Sequence, residues 1–153
     1  MRILVFVLLV AAETAVAQQL TVESVDLRQS AAGPAVLLRV GDRALPVFID
    51  PFVAQSIHGA LGGQKFARPL SHDLMHNILT GLDARVSRVV VTLREGIYYG
   101  ELTVTTGGAT KVFDARSSDA IALAVHAKAP IIISRQLLDS AGIDMQEPRS
   151  GKK

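Results

Sequence analysis

The polar residues able to do chemistry gather in two short segments, Arg68-Pro69-Leu70-Ser71-His72-Asp73 and Asp114-Ala115-Arg116-Ser117-Ser118-Asp119. Each places an arginine and at least one carboxylate where a loop or strand gives way to a helix. The first N–H groups and the macrodipole of such a helix favour an anion such as phosphate. Hydrolysis of a phosphodiester needs that set: cations for the phosphoryl oxygens, carboxylates to hold a divalent metal, and a base to activate water. The same residues also have an ordinary structural use. Ser71 and Ser117 stand where N-caps belong, Asp73 and Asp119 where first-turn acids belong, and Arg116 can simply pair with Asp119.

His72 and His76 lie four apart on a predicted helix, so both rings could reach one metal. There is no cysteine, no glutamate between them as in a zinc protease, and only His58 close by in sequence, so a solvated pair on the helix surface is the simpler reading. The chain has no glycine-rich phosphate loop, serine-centred elbow or dinucleotide fingerprint. Gly107-Gly108 reads as a turn without the strand-to-helix context of such motifs.

The elements that must position these residues follow from turn chemistry and periodicity. Thr21 to Arg28, Ala35 to Val40 and Ala44 to Ile49 read as strands separated by Ala32-Gly33-Pro34 and Gly41-Asp42. Pro51 opens a helix through Leu61, with Phe52, Ile57, Ala60 and Leu61 on or near one side, and Gly62-Gly63 ends it. Ser71 opens a second helix whose apolar face is Leu74, Met75, Ile78, Leu79 and Leu82. Ala84 to Arg94, Ile97 to Thr105 and Thr110 to Asp114 are strands joined through Glu95-Gly96 and Gly107-Gly108, both hairpin sequences. A helix from Ser117 to Lys128, the strand Ile131-Ile132-Ile133 and a short helix from Arg135 to Ala141 complete the order. The strand-strand-strand-helix unit occurs twice, and an offset of 64 lays Asp50 over Asp114 and Ile57 over Ile121. The expected class is α+β, in two layers, with helices packed on a largely antiparallel sheet and an internal duplication.

Composition narrows the function classes. With 16 Lys plus Arg against 14 Asp plus Glu, the net charge is +2, too small for binding nucleic acid by charge alone. Tyr98 and Tyr99 are the available stacking aromatics, and as strand neighbours they point to opposite faces. At the N-terminus, Arg2, the apolar stretch Ile3 to Ala12 and Ala15-Val16-Ala17 have the layout of a secretory signal peptide over residues 1–17. Cleavage would fall before Gln18. That stretch is shorter than the roughly 20 residues needed to span a bilayer. The expected product is periplasmic or secreted, with no membrane attachment after cleavage; the competing reading of residues 1–17 is an uncleaved helix or a buried first strand. Residues 18–145 then form one domain, large enough for a core without disulfides, and 146–153 a disordered tail.

The two polar segments, read with their flanks, resemble the bifunctional nuclease domain family. Its members carry stretches like RPLTHDL and DARPSDAIALA; here they stand as Arg68-Pro69-Leu70-Ser71-His72-Asp73-Leu74 and as Asp114 through Ala124. The likeness continues through Leu45 to Ile49, Pro51-Phe52 and Ala129-Pro130-Ile131. It implies an α+β domain with a duplicated core, self-association into a homo-oligomer, and nuclease activity on DNA and RNA. On that basis Asp114 and Asp119 are expected to hold a divalent cation, Mg²⁺ or Mn²⁺. His72 is expected to act as base or ligand, Asp73 to orient it or complete the metal shell, and Arg68 and Arg116 to bind phosphate. Two departures bear on this. Relatives tend to have Gly-Pro-Phe-Glu where this chain has Asp50-Pro51-Phe52-Val53, and Ser117 replaces the usual proline. The alternative reading is a non-catalytic exported domain that binds an anionic ligand or a protein partner, favoured by the acid missing at position 53.

Overall fold

The structure, a computed structural model, describes residues 18–145. The expected signal peptide and tail lie outside the described residues. Nine strands and four helices follow in the order β1 (Gln19–Thr21), β2 (Ser24–Ser30), β3 (Gly33–Val40), β4 (Arg43–Phe48), α1 (Pro51–Gly62), α2 (Ser71–Gly81), β5 (Ala84–Arg94), β6 (Ile97–Thr106), β7 (Ala109–Arg116), α3 (Ser117–Ala127), β8 (Ile131–Ser134), α4 (Arg135–Ala141) and β9 (Ile143–Asp144). They form two sheets, β1-β8-β5-β6-β7 and β2-β3-β4-β9. Every pairing is antiparallel except that of β5 with β8. The α+β, largely antiparallel architecture expected from the sequence is thus present, divided between two sheets.

The hairpins form where the sequence demands positive φ. Glu95 and Gly96 (φ 51° and 79°) and Gly107 and Gly108 (φ 54° and 78°) give both central residues of each turn the left-handed conformation that matches strand twist. These two turns make β5-β6-β7 a continuous meander, and β7 delivers Arg116 directly to the start of α3.

Each sheet carries a helix: α1 packs on β3, α3 on β5 and β6, and the two helices pack on each other. The core is therefore continuous from Val36, Leu38 and Leu45 through Ile57 and Ile121 to Val89 and Val104. Enclosure on several sides explains why Ala120, Ile121, Ala122, Leu123 and Ala124 are all buried in succession. A helix apolar all round belongs in an interior.

Three expectations need correction. The predicted strand Thr21 to Arg28 is two strands in different sheets. The switch falls between Val22, whose N–H donates to Ile131 O at 2.8 Å, and Glu23, whose N–H donates to Arg39 O at 2.8 Å. The predicted apolar face of α2 is largely exposed: Leu74, Met75, Ile78 and Leu82 face out, and the buried residue of α2 is His72. Polar partners on α1 and α3 draw that edge inward. In α1, Phe52 and Leu61 likewise face out, while Val53, Ser56 and Ile57 are buried.

Candidate active site

Three helices and one strand end build the site, and their local sequence fixes each contribution. Asp50 is the N-cap of α1: its Oδ1 accepts from the N–H groups of Phe52 at 2.9 Å and Val53 at 3.0 Å. α2 starts at Ser71 with Leu70 in the cap position, and Asp73 reaches back to accept from Leu70 N–H at 2.9 Å. Neither Ser71 nor Ser117 is an N-cap; each is the first helical residue. At α3 the cap position belongs to Arg116, with no side-chain cap. Asp119, three residues on, turns to that arginine instead.

The arrangement is a chain of hydrogen bonds. Arg116 Nε donates to Asp119 Oδ2 at 2.7 Å and an Arg116 terminal nitrogen to Oδ1 at 3.1 Å, a bidentate pair. His72 Nε2 lies 3.1 Å from Asp119 Oδ1, and His72 Nδ1 lies 3.2 Å from Ser56 Oγ. Ser56 Oγ lies 2.9 Å from His126 Nε2, and His126 Nδ1 lies 3.5 Å from Asp73 Oδ1. The rings of His72 and His126 are stacked at 6.4 Å, and that of His76 lies 6.3 Å from His126.

Electrostatics follow from these contacts. Burial alone would raise the Asp119 pKa, but the hydrogen bonds from Arg116 and His72 outweigh it and hold the carboxyl below its ordinary range. Asp119 in turn raises the Arg116 pKa, chiefly through their hydrogen bond. Burial lowers the pKa of His126; the Asp73 carboxylate opposes that shift, and His72 and His76 add to it.

His72, Asp114, Arg116 and Asp119 line one open cleft of about 710 Å³, together with Asp50, Val53 and Ser56. Asp114 is exposed there, and its side chain makes no hydrogen bond or ion pair among the described residues. The remainder of the wall is largely apolar, from Phe52, Met75, Leu102 and Phe113. Two predicted site residues are not brought to it. Asp73 faces His126 and caps α2 rather than orienting His72, and Arg68 sits exposed in the preceding loop, outside the cleft lining. Tyr98 and Tyr99 also lie outside the cleft lining; Arg94 covers the Tyr99 ring at 5.4 Å.

The residues present do not fit a resident Mg²⁺ or Mn²⁺. Among the described residues no three His, Asp or Glu side chains stand where they could share an ion. Both oxygens of Asp119 are engaged by Arg116 and His72. Asp50 is committed to its helix cap, and position 53, which projects into the cleft, carries a buried valine.

Ser56 and His126 are the site residues that sequence reasoning missed, and both had a signal. Ser56 interrupts the apolar stripe Val53, Ile57, Ala60 of α1, where a lone hydroxyl needs a buried partner. His126 follows Asp119 by seven positions, two turns along the same helical face.

Residues 36–146 match the bifunctional nuclease domain family. The chain is similar to an uncharacterized protein of Mycobacterium tuberculosis, 33% identical over 128 residues, which cover 82% of this chain and 76% of that protein. It is also 30% identical over 131 residues to Bifunctional nuclease 2 of Oryza sativa subsp. japonica, covering 80% of this chain and 40% of the rice protein. Bifunctional nuclease 1 of Arabidopsis thaliana is 30% identical over 127 residues, covering 78% of this chain and 38% of its own length. The chain thus spans less than half of these plant proteins.

Proposed function

We propose that this chain, which belongs to the bifunctional nuclease domain family, hydrolyses phosphodiester bonds of DNA and RNA in the cleft between α1, α2 and the β7–α3 junction. The observation that carries this reading is convergence. His72 and Asp119 come from segments 47 positions apart and meet at 3.1 Å, with Arg116 and Asp114 on the same cleft. Residues serving only as separate helix caps have no reason to meet.

The proposed chemistry uses the chain's own groups. Arg116 gives Asp119 two of its N–H donors and keeps the others for the non-bridging oxygens of a phosphate, where charge builds in the transition state. Asp119, braced from behind by His72, fixes the guanidinium in that position. Asp114, exposed and two residues before Arg116 on β7, takes the proton of the attacking water as its oxygen bonds to phosphorus; the bond to the leaving oxygen breaks, and that oxygen takes a proton from solvent in the open cleft. Both His72 nitrogens already have partners, so His72 acts through Asp119 and not on water directly.

Cleavage of single-stranded DNA and RNA by protein beginning at Gln18, in Mg²⁺, Mn²⁺ or EDTA, tests the reading against Asp114→Asn and Arg116→Ala. Both variants should lose most of the activity. Folded variants that cut as fast as the parent would refute it. The apolar wall of the cleft favours a second reading, a domain that binds an anionic ligand without cleaving it. A folded parent that retains an oligonucleotide on titration yet cuts nothing would establish that reading instead.

Export through residues 1–17 and self-association belong to the same proposal. Met75, Ile78 and Phe113 are 37%, 51% and 48% exposed, apolar surface of the kind a second copy covers. Sedimentation of the mature protein and mass analysis of the exported form, expected to start at Gln18, test the two parts.

A further inference from the structure

Behind the cleft, the contacts Asp119–His72, His72–Ser56, Ser56–His126 and His126–Asp73 form an unbroken line with a carboxylate at each end. Ser56 is 1% exposed and stands at its centre. A hydroxyl has one proton, so Ser56 can donate to only one imidazole and must accept from the other. Two neutral imidazoles and one hydroxyl bring three protons to these four junctions, so one junction stays empty unless a further proton enters. The longest junction, His126 to Asp73 at 3.5 Å, is the one to stay empty. In that state His72 donates from Nε2 to Asp119, Ser56 donates to His72 Nδ1, and His126 donates from Nε2 to Ser56.

We propose that Ser56 and His126 form a buried proton relay that supplies and withdraws a proton at His72 Nδ1, and so sets the charge of the imidazole that braces Asp119. An entering proton binds His126 Nδ1, beside the Asp73 carboxylate. The His126 Nε2–H bond then breaks as a new Ser56 O–H bond forms, while the original Ser56 O–H bond breaks as a His72 Nδ1–H bond forms. The charge leaves His126 and arrives on His72 with no net change in protons, and the reverse shift restores the first state. Asp73 on the outer end and Asp119 on the cleft end are each partly exposed, so the line connects solvent behind α2 with the cleft. Besides Asp73, the titratable groups facing His126 are His72 and His76, both on α2. Ser56 and His126 are positioning residues in this scheme. Its purpose rests on the proposed phosphodiester chemistry, but its geometry does not.

Nitrogen-15 spectra of the four histidines, followed between about pH 5 and pH 8, test the relay without any activity measurement. In the parent, the His72 Nδ1 and His126 nitrogen resonances should move together through one shared transition, with His72 keeping its Nε2 proton throughout. In Ser56→Ala that shared transition should split into two independent ones, and His126→Gln should abolish the His72 response. If the cleft is catalytic, both variants should also shift the pH profile of kcat while leaving KM in place. Independent titration of His72 and His126 in the parent would overturn the proposal, and that result requires no variant to fold. Absent cleavage with the coupled transition present would instead remove the nuclease reading and leave the relay standing.

Discussion

Two strand-to-helix junctions, β4–α1 and β7–α3, begin from the same materials and end differently. At β4–α1 the acid is the N-cap itself: Asp50 spends its Oδ1 on the Phe52 and Val53 N–H groups, and the junction is closed. At β7–α3 the cap position is an arginine, and the acid sits a turn later. Asp119 therefore looks sideways to Arg116 and His72 rather than back to its own helix. An acid at the cap stabilises a helix. The same acid displaced by three residues leaves the helix start open, organises a cation, and borrows a histidine from another helix. The β7–α3 junction also has a special support. A Cβ on Gly100 of β6 would stand 2.5 Å from Ala120 Cβ and 3.2 Å from Arg116 O, so glycine is what lets α3 begin this close to the sheet.

The comparison can be broken most severely at Arg116. Arg116→Ala should lower kcat/KM for cleavage by about 10²- to 10³-fold, the usual loss when one transition-state donor is removed. Its Tm should hardly change, since the side chain is 71% exposed. Gly100→Ala should damage both properties, costing about 1–3 kcal/mol by overpacking and reducing cleavage as α3 shifts away from β6. Urea unfolding beside the cleavage assay reads both. Asp50→Ala should remove about 1 kcal/mol of stability, a fall in Tm of about 4 °C, as loss of an N-cap does. If Asp50→Ala left Tm unchanged, the closed-junction account of β4–α1 would fail.

The smallest effect is in acid. Asp119 has its pKa held below the ordinary range when folded, so the folded state binds fewer protons than the unfolded chain. Its contribution is complete above the unfolded pKa, about 4, and is lost as pH falls through the lower folded value. The Tm of the parent should drop more steeply below about pH 4 than that of Asp119→Asn. His126, whose pKa burial lowers, has the same sign in a different window: stability declines as pH falls from about 6.5 toward the folded pKa.

Much of this was legible in the residues. The ends of α4 and β5, the hairpins at Glu95-Gly96 and Gly107-Gly108, and the pairing of Arg116 with Asp119 all rest on interactions within a few positions of chain. Val53, which stands where relatives tend to have an acid, lines the cleft. α2 was misjudged because Leu74, Met75, Ile78 and Leu79 recur at helical spacing and so read as a buried face. The side that is buried was decided by Ser56 and His126, which the helix's own sequence does not contain.

The sequence alone therefore determined the four helices, the β5-β6-β7 meander and the turns within it, because positive φ and periodicity are local. Only the tertiary structure decided the division into two sheets at Val22 and Glu23, the parallel pairing of β5 with β8, and the meeting of His72 with Ser56, Asp119 and His126. Those contacts join residues far apart in the chain. Their positions are set by how α1, α2 and α3 pack on the sheets and on one another, which no local pattern specifies.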